Sequence, residues 1–369
     1  MALSAAPKFV PLRENVDNNS PIYIFPQSLA RQLILNKDVE MAEADFSIIL
    51  NSVIPEDIDA NMVSRYILTH EIMHGLGFIG TSALANFHLP FDWVLSKEDI
   101  LVPTETFTTS IIENNQLKYN YTGFYPFSIF EKYIVNRNNP DHYLLENVSD
   151  IYKIPLEPVE YISRGNNLND EYINIFRKFY MNIVQGPHYE EVKKIATVYK
   201  KEKSLGFKTS NGNIVPLQTF DHYFSSTSSI FHTEPTKIDT LNFFDVDPYN
   251  QTAITSCMDK DFLMNYSLFI LSDIDTIVTL VGKDNRHGAI GPGIVDIMKT
   301  IGWTEKGQLR NERIYYIPDD FKLTVDTNID YLFRTTSYNT TSNAFLTSFI
   351  NIKQSLIIFL INCILLYFI

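Results

Sequence analysis

Three residues suited to metal and acid–base chemistry lie close together within the stretch Thr69–Phe78. His70 and His74 are four positions apart, and Glu71 directly follows the first histidine. On a helix, side chains at i and i+4 project from the same face, so both imidazoles can converge on one metal ion with the carboxylate beside them. A Zn²⁺ ion held by neutral protein ligands keeps a position for water and lowers that water's pKa to about 7. Glu71 can then accept the proton, so the spacing predicts a site that activates water.

The residues around this string predict the helix that must position it. Val63 and Ile67 lie at i and i+4, and the two histidines follow at i+7 and i+11, which places both imidazoles on an apolar stripe. An aspartate at 57 or 59 can cap the start of the helix, and Gly75 and Gly77 are typical stop signals. An H-E-x-x-H string arises by chance in about one chain in a hundred of this length. The alternative that both histidines are ordinary core residues therefore stays open.

The string from His70 to Phe78 resembles the H-E-x-x-H-x-x-G-F signature of zinc-dependent metalloendopeptidases of the metzincin type. In the most familiar metzincins a third histidine follows the glycine by three residues, and this chain has Gly80 at that position. The string is therefore more similar to leishmanolysin-like and related microbial zincins, in which a long insertion separates the helix from the third histidine.

Two later stretches extend the resemblance. Residues 261–267 (DFLMNYS) are similar to the methionine turn that lies beneath the metal, with Met264 at the place of the methionine and Tyr266 at the place of the tyrosine two residues beyond it. Residues 291–303 (GPGIVDIMKTIGW) look like the helix that closes many such catalytic domains. The resemblance covers about residues 45–80 and 215–303, and it implies an α+β fold, a zincin-like catalytic domain with a long insertion.

The resemblance also implies a third protein ligand, for which the other histidines are the first candidates. These are His88, His142, His188, His222, His232 and His287. In the similar families the third histidine precedes the methionine turn, and His232 is the last histidine before Met264. His222 ranks second, because its strand-like neighbours are equally typical of a core. His287 follows the turn and would break the family order, and an aspartate or glutamate ligand is a further alternative.

Composition limits the classes of partner. The chain has 369 residues, of which 45% are hydrophobic and 13% aromatic, so it can bury the core of one large domain or two. Its net charge of −13 and its pI near 5.1 would repel a phosphate backbone. We therefore expect no nucleic-acid partner.

Local patterns outside the motif predict several further elements. Residues 22–25 (IYIF) suggest an extended piece, and residues 28–35 (SLARQLIL) suggest a helix after it. The stretch 45–50 (DFSIIL) reads as a strand, which is either a rail for an extended substrate or an ordinary sheet strand. Helices are predicted over 127–135 and 172–184.

The predicted organisation has five parts. Residues 1–88 form an N-terminal catalytic half with the active-site helix, 89–215 an insertion, 216–303 a C-terminal catalytic half, 304–343 an extension or stalk, and 344–369 a hydrophobic signal or anchor.

The end of the chain predicts membrane attachment. Residues 356–369 are an almost unbroken apolar run, and a helix of that length spans about 21 Å, short of the roughly 30 Å hydrocarbon core. Small residues at 342–344 (SNA), followed by a spacer over 345–354, make this end resemble a GPI-attachment signal. A tail anchor that recruits residues 345–352 is the alternative.

Signals for the secretory route are mixed. The first ten residues, MALSAAPKFV, lack the apolar core of a secretory signal. N-x-S/T strings permit glycosylation and occur at Asn18, Asn120, Asn147, Asn250, Asn265 and Asn339. Asn265 lies inside the predicted methionine turn, where a glycan would not fit. We expect a glycoprotein held on the cell surface through its C-terminus.

Together these features predict a zinc-dependent endopeptidase that hydrolyses peptide or protein substrates. Glu71 is expected to act as general base and then as general acid, and the resemblance implies that Tyr266 donates a hydrogen bond to the oxyanion. One alternative is a membrane-anchored surface protein that keeps the fold but has lost the metal. The other is a zinc peptidase of another clan, with an acidic third ligand.

Overall fold

The described chain contains both helices and strands, often in runs of one kind. The computed structural model describes residues 2–5, 8–17, 19–50, 60–85, 99–104, 106–113, 116–154, 159–162, 170–222, 224, 230–236, 251–265, 274–310 and 312–319. These residues combine α-helices with small β-sheets. The zincin-like arrangement of such elements stays a prediction from the resemblance.

The strands pair in sheets of two to four members. They are β1 (Ala2–Ala5), β2 (Phe9–Leu12), β3 (Tyr23–Pro26), β4 (Ile34–Leu35), β5 (Ser47–Leu50), β6 (Ser82–Leu84), β7 (Leu101–Pro103), β8 (Thr106–Glu113), β9 (Gln116–Phe124), β10 (Ile134–Asn136), β11 (Asn139–Tyr143), β12 (Val159–Ile162), β13 (Leu205–Lys208), β14 (Ile214–Pro216) and β15 (Ile314–Tyr315). One sheet has the order β11-β10-β13-β14 and another the order β12-β9-β8, while β1-β5, β2-β3, β6-β7 and β4-β15 are pairs. The β4-β15 pair is parallel, and it joins residues 34–35 to residues 314–315.

The helices differ in length, and the longest carries the histidine pair. They are α1 (Gln27–Ala30), α2 (Ala60–Gly75), α3 (Asp170–Val184), α4 (Tyr189–Tyr199), α5 (Gln251–Cys257), α6 (Ile274–Val281) and α7 (Pro292–Ile301). Within the described part of the chain, no helix is both long enough and apolar enough to cross a membrane. The predicted C-terminal anchor lies outside the described residues.

Helix α2 ends where its glycines predict. Gly77 has a φ of +122°, which is in the region that favours glycine. Its N–H donates to the His74 carbonyl at 3.0 Å, and the Phe78 N–H donates to the Met73 carbonyl at 3.1 Å. These two bonds form a Schellman motif, which satisfies carbonyls that a helix end leaves without intrahelical partners. The predicted stop is confirmed, and it fixes the chain direction directly after His74.

Side chains from distant parts of the chain also hold the last turn of α2. The Ser28 hydroxyl, in α1, donates to the Gly75 carbonyl at 2.7 Å. The Trp303 indole N–H, just after α7, donates to the Leu76 carbonyl at 2.8 Å. Both side chains belong to buried residues, so these bonds form in surroundings of low dielectric, where they are stronger than in water. The C-terminal end of α2 is thus held by two long-range hydrogen bonds.

Several local predictions are tested by these elements. Strands β3 and β5 and helix α3 confirm the extended piece, the strand over 45–50 and the helix over 172–184. The described partner of β5 is β1, which pairs antiparallel along it, so a role for β5 as a substrate rail stays a prediction. The helix predicted over 28–35 is limited to the single turn of α1, because Ile34 and Leu35 pair with β15 instead.

The helix predicted over 127–135 is wrong. This stretch contains a 3₁₀ turn (Glu131–Tyr133) that leads directly into β10. Ile134 pairs with Phe207 of β13. The long-range sheet pairing outweighs the local pattern, as tertiary context often does for short apolar runs.

Candidate metal centre

The two histidines of α2 face each other at the distance that a shared ligand site requires. His70 Nε2 and His74 Nε2 are 3.1 Å apart, and the planes of the two rings are inclined by 81°. His70 is buried and His74 is half-buried. The predicted convergence of the i and i+4 imidazoles is therefore present.

His232 joins this pair from a separate part of the chain. Its Nε2 lies 3.3 Å from His70 Nε2, and the residue is 5% exposed. One nitrogen from each of the three histidines lies within 4.8 Å of the other two. The structure thus brings His232, the histidine predicted as third ligand, next to the two histidines of α2.

Two other candidates for the third ligand, His222 and His287, lie elsewhere, and His88 is outside the described residues. His222 is exposed, and its nearest ionic partner is Asp221, with a separation of 3.4 Å between Nε2 and a carboxylate oxygen. His287 Nε2 lies 3.0 Å from a carboxylate oxygen of Glu305. The cluster of potential ligands found among the described residues includes neither of them, and it includes no carboxylate.

Backbone carbonyls orient two of the three imidazoles. The His70 Nδ1–H donates to the Leu263 carbonyl at 2.7 Å, and the His74 Nδ1–H donates to the Phe78 carbonyl at 2.6 Å. Because a carbonyl can only accept, the proton of each neutral ring is on Nδ1, and Nε2 carries the lone pair. Metal-ligating histidines commonly have such partners, which fix the tautomer and the ring orientation.

Both rings of α2 favour the neutral form. Burial lowers the pKa of His70, against an opposing contribution from its bond to the Leu263 carbonyl. Burial, and secondly the neighbouring His70, lower the pKa of His74 to about 3. At neutral pH the two Nε2 lone pairs therefore face each other, which is the form in which imidazole binds a metal.

The spacing of these nitrogens fits a zinc ion. Two nitrogens bound to a tetrahedral zinc are about 3.3 to 3.4 Å apart, given the usual Zn–N bond length. Two of the three separations between these nitrogens, 3.1 and 3.3 Å, are close to this value, and all three are within 4.8 Å. Bare lone pairs at such a distance repel each other, and a cation between them removes the repulsion. The donor set therefore fits Zn²⁺ on the chemistry of these residues alone.

The predicted general base occupies the same helix. Glu71 is 7% exposed, which is low for a glutamate. It precedes His74 by three positions, so both side chains project from neighbouring positions on α2. A buried carboxylate on the helix that carries both histidines is a candidate for proton transfer.

The predicted methionine turn packs against α2. Residues Phe262–Met264 form a 3₁₀ turn, and Met264 is fully buried. The turn supplies the Leu263 carbonyl to His70, and its Phe262 carbonyl accepts a bond of 2.7 Å from the Tyr66 hydroxyl. Tyr266, the predicted oxyanion donor, lies outside the described residues. Asn265 is 2% exposed, which leaves no room for a glycan there.

Asp261 connects the turn to α7, and sequence reasoning missed this role. One carboxylate oxygen accepts the Gly293 N–H at 2.8 Å and the Ile294 N–H at 3.2 Å. A side chain at Gly291 would meet Asp261 atoms at 2.2 Å, which explains a glycine there. Burial and the neighbouring Asp259 raise the pKa of Asp261 to about 6. The available signal was the pair Gly291 and Gly293, at the start of the predicted closing helix.

Gly80 occupies the position at which familiar metzincins have their third histidine. A Cβ atom at Gly80 would lie 1.8 Å from an atom of the Phe231 ring, so no side chain fits while that ring is in place. Phe231 directly precedes His232. The segment that excludes a side chain at position 80 is therefore the same one that carries His232, the third histidine of the cluster.

Comparisons of this chain with protein-family models, with curated proteins and with solved structures gave no match. The likeness to zincins accordingly rests on the motif and on the histidine cluster.

Proposed function

We propose that the protein is a zinc-dependent endopeptidase. The observation that carries this proposal is the convergence of three imidazoles, two of which are turned by backbone carbonyls so that Nε2 faces the cluster. His70, His74 and His232 would hold the ion.

The number of ligands favours catalysis over a purely structural role. Structural zinc sites are usually closed by four protein ligands, whereas catalytic sites have three and keep a position for water or substrate. The cluster formed by the described residues has three members. With His232 as the third ligand, neither loss of the metal nor an acidic ligand is needed to explain the site.

The roles of the side chains follow from their chemistry. A bound zinc ion would polarise the scissile carbonyl and acidify the attacking water. Glu71 accepts the proton of that water and later delivers it to the leaving amine. Tyr266 is proposed, from the resemblance alone, to donate a hydrogen bond to the oxyanion.

The substrates proposed are peptides or proteins, and the place of action is the cell surface. The proposed surface location is supported by the apolar run 356–369 and the small residues at 342–344. The negative charge of the chain supports the exclusion of nucleic acid as a substrate.

One experiment separates metal binding from catalysis. Purified wild-type protein and the Glu71→Gln variant should each contain close to one zinc per chain, because Glu71 does not bind the metal. Hydrolysis of a peptide library should fall by about 10²- to 10⁴-fold in the variant, as is typical when a general base is removed. Glu190→Gln, at an exposed glutamate of α4, is the matched control and should retain activity.

Two results would contradict the proposal. Near wild-type hydrolysis by Glu71→Gln would show that water is activated elsewhere. Stoichiometric zinc that survives His74→Ala would show that the metal is bound at another place.

A further inference from the structure

Thr233, the residue after the third histidine, is bonded to the methionine turn through its backbone. The Thr233 N–H donates to the Met264 carbonyl at 2.8 Å, and the two segments form a parallel bridge between Thr233 and Asn265. Both residues are 2% exposed. The backbone directly beside His232 is therefore fixed to the turn.

The side chains of the same two residues add three hydrogen bonds. The Asn265 amide donates to the Thr233 carbonyl at 3.1 Å and to the Thr233 hydroxyl at 3.0 Å. The Thr233 hydroxyl in turn donates to the Asp261 carbonyl at 3.0 Å. We call this set of bonds the Thr233–Asn265 clip.

Through the clip, the segment of His232 binds the same turn that binds His70. The turn to which it binds also offers the Leu263 carbonyl to His70, from 193 positions away in sequence. His70 and His232 are themselves 162 positions apart, so no local element sets the distance between them. Their separation of 3.3 Å depends on how both segments bind the turn.

We propose that Thr233 and Asn265 are positioning residues that hold His232 at the correct distance from His70 and so set the affinity of the metal centre. This inference rests on the proposed zinc site. A competing anchor exists, because the Gln218 N–H donates to the His232 carbonyl at 2.8 Å. If that bond alone placed His232, the clip would be irrelevant to metal binding.

The test uses variants that remove hydrogen bonds with little change in shape. Thr233→Val and Asn265→Leu each delete two of the three side-chain bonds, whereas Thr233→Ser keeps the hydroxyl. Thr209→Val is the control, since Thr209 is also buried and its hydroxyl has two acceptors within hydrogen-bond distance, in the turn between β13 and β14. Zinc affinity is measured by competition with a chromophoric chelator, and ligand geometry by the visible spectrum of the Co²⁺-substituted protein.

The clip predicts a specific pattern. Thr233→Val and Asn265→Leu should each bind zinc about 10- to 100-fold more weakly than wild type, as is typical when an outer partner of a ligand is lost. Both should also show an altered cobalt spectrum. Thr233→Ser and Thr209→Val should match wild type in both measurements, although Thr209→Val loses stability.

The contrary results are distinct from one another. If both clip variants bind zinc and cobalt as wild type does, the clip has no positioning role, while the metal centre stands. If Thr233→Val does not fold, Asn265→Leu decides the question by the same criteria. A wild-type protein that binds no zinc overturns the metal centre, and the clip with it.

Discussion

Acid should destabilise the metal-free protein through His74. The pKa of this histidine is about 3 in the folded protein and 6.5 ordinarily. Between these two pH values the imidazole is protonated in the unfolded chain but neutral in the folded protein. The resulting stability is present above pH 6.5 and is lost as the pH falls towards 3. Between pH 7 and pH 4 the loss is about 3 kcal/mol. That loss is large compared with the free energy of unfolding of a typical domain, which is about 5 to 15 kcal/mol.

Asp261 acts in the opposite direction. Its pKa is raised from 3.8 to about 6 in the folded protein, so the folded chain binds the extra proton. The stability that this proton supplies is present below pH 3.8 and is lost as the pH rises through 6. Between pH 7 and pH 4 the gain is roughly 2 kcal/mol. The two groups nearly cancel in the wild type, and variants are needed to separate them.

The assay is urea unfolding of chelator-treated protein at pH 7 and pH 4. The His74→Gln variant lacks the loss assigned to His74. When the pH falls from 7 to 4, its free energy of unfolding should therefore end about 3 kcal/mol higher, relative to its own value at pH 7, than that of wild type. The Asp261→Asn variant should lose roughly 2 kcal/mol more than wild type, because its compensating proton is gone. Equal pH dependence in wild type and His74→Gln would refute the inference that His74 is held neutral by burial.

Two further predictions concern the third ligand and the tail. His232→Ala should weaken zinc binding far more than His222→Ala, because only the former removes a coordinating nitrogen, and equilibrium dialysis with zinc would detect the reverse order. Deleting residues 355–369 should convert a membrane-bound protein into a secreted one that phospholipase no longer affects. Mass spectrometry that finds Ile369 on the mature protein would exclude a glycolipid at 342–344 and favour the tail anchor.

Helix α2 and its histidine pair could be predicted because independent signals coincide in one short stretch. The apolar stripe predicts the helix, and the histidines at i and i+4 predict the pair of ligands. Gly77 predicts the end of the helix. The prediction of His232 depended on the order of ligands in similar families, because its neighbours in the sequence show no ligand pattern. Its position in the cluster agrees with that order.

Other parts of the site could not be read from residue types. The groups that orient His70 and His74 are the backbone carbonyls of Leu263 and Phe78, and every residue has a carbonyl. The wrong helix over 127–135 has a related cause. Its apolar residues fit a helical period, but pairing between β10 and β13 depends on a partner about 70 positions away, which no local pattern reports.

The sequence distance between the ligands has a consequence for the timing of synthesis. The helix with His70 leaves the ribosome first, and His232 is made 162 positions later. At typical rates of elongation this takes roughly 10 to 30 s. Throughout that interval the nascent chain has two of the three imidazoles, fewer than catalytic zinc sites use. For the endopeptidase proposed above, a zinc centre completed by a late segment would delay activity until most of the chain has been synthesised.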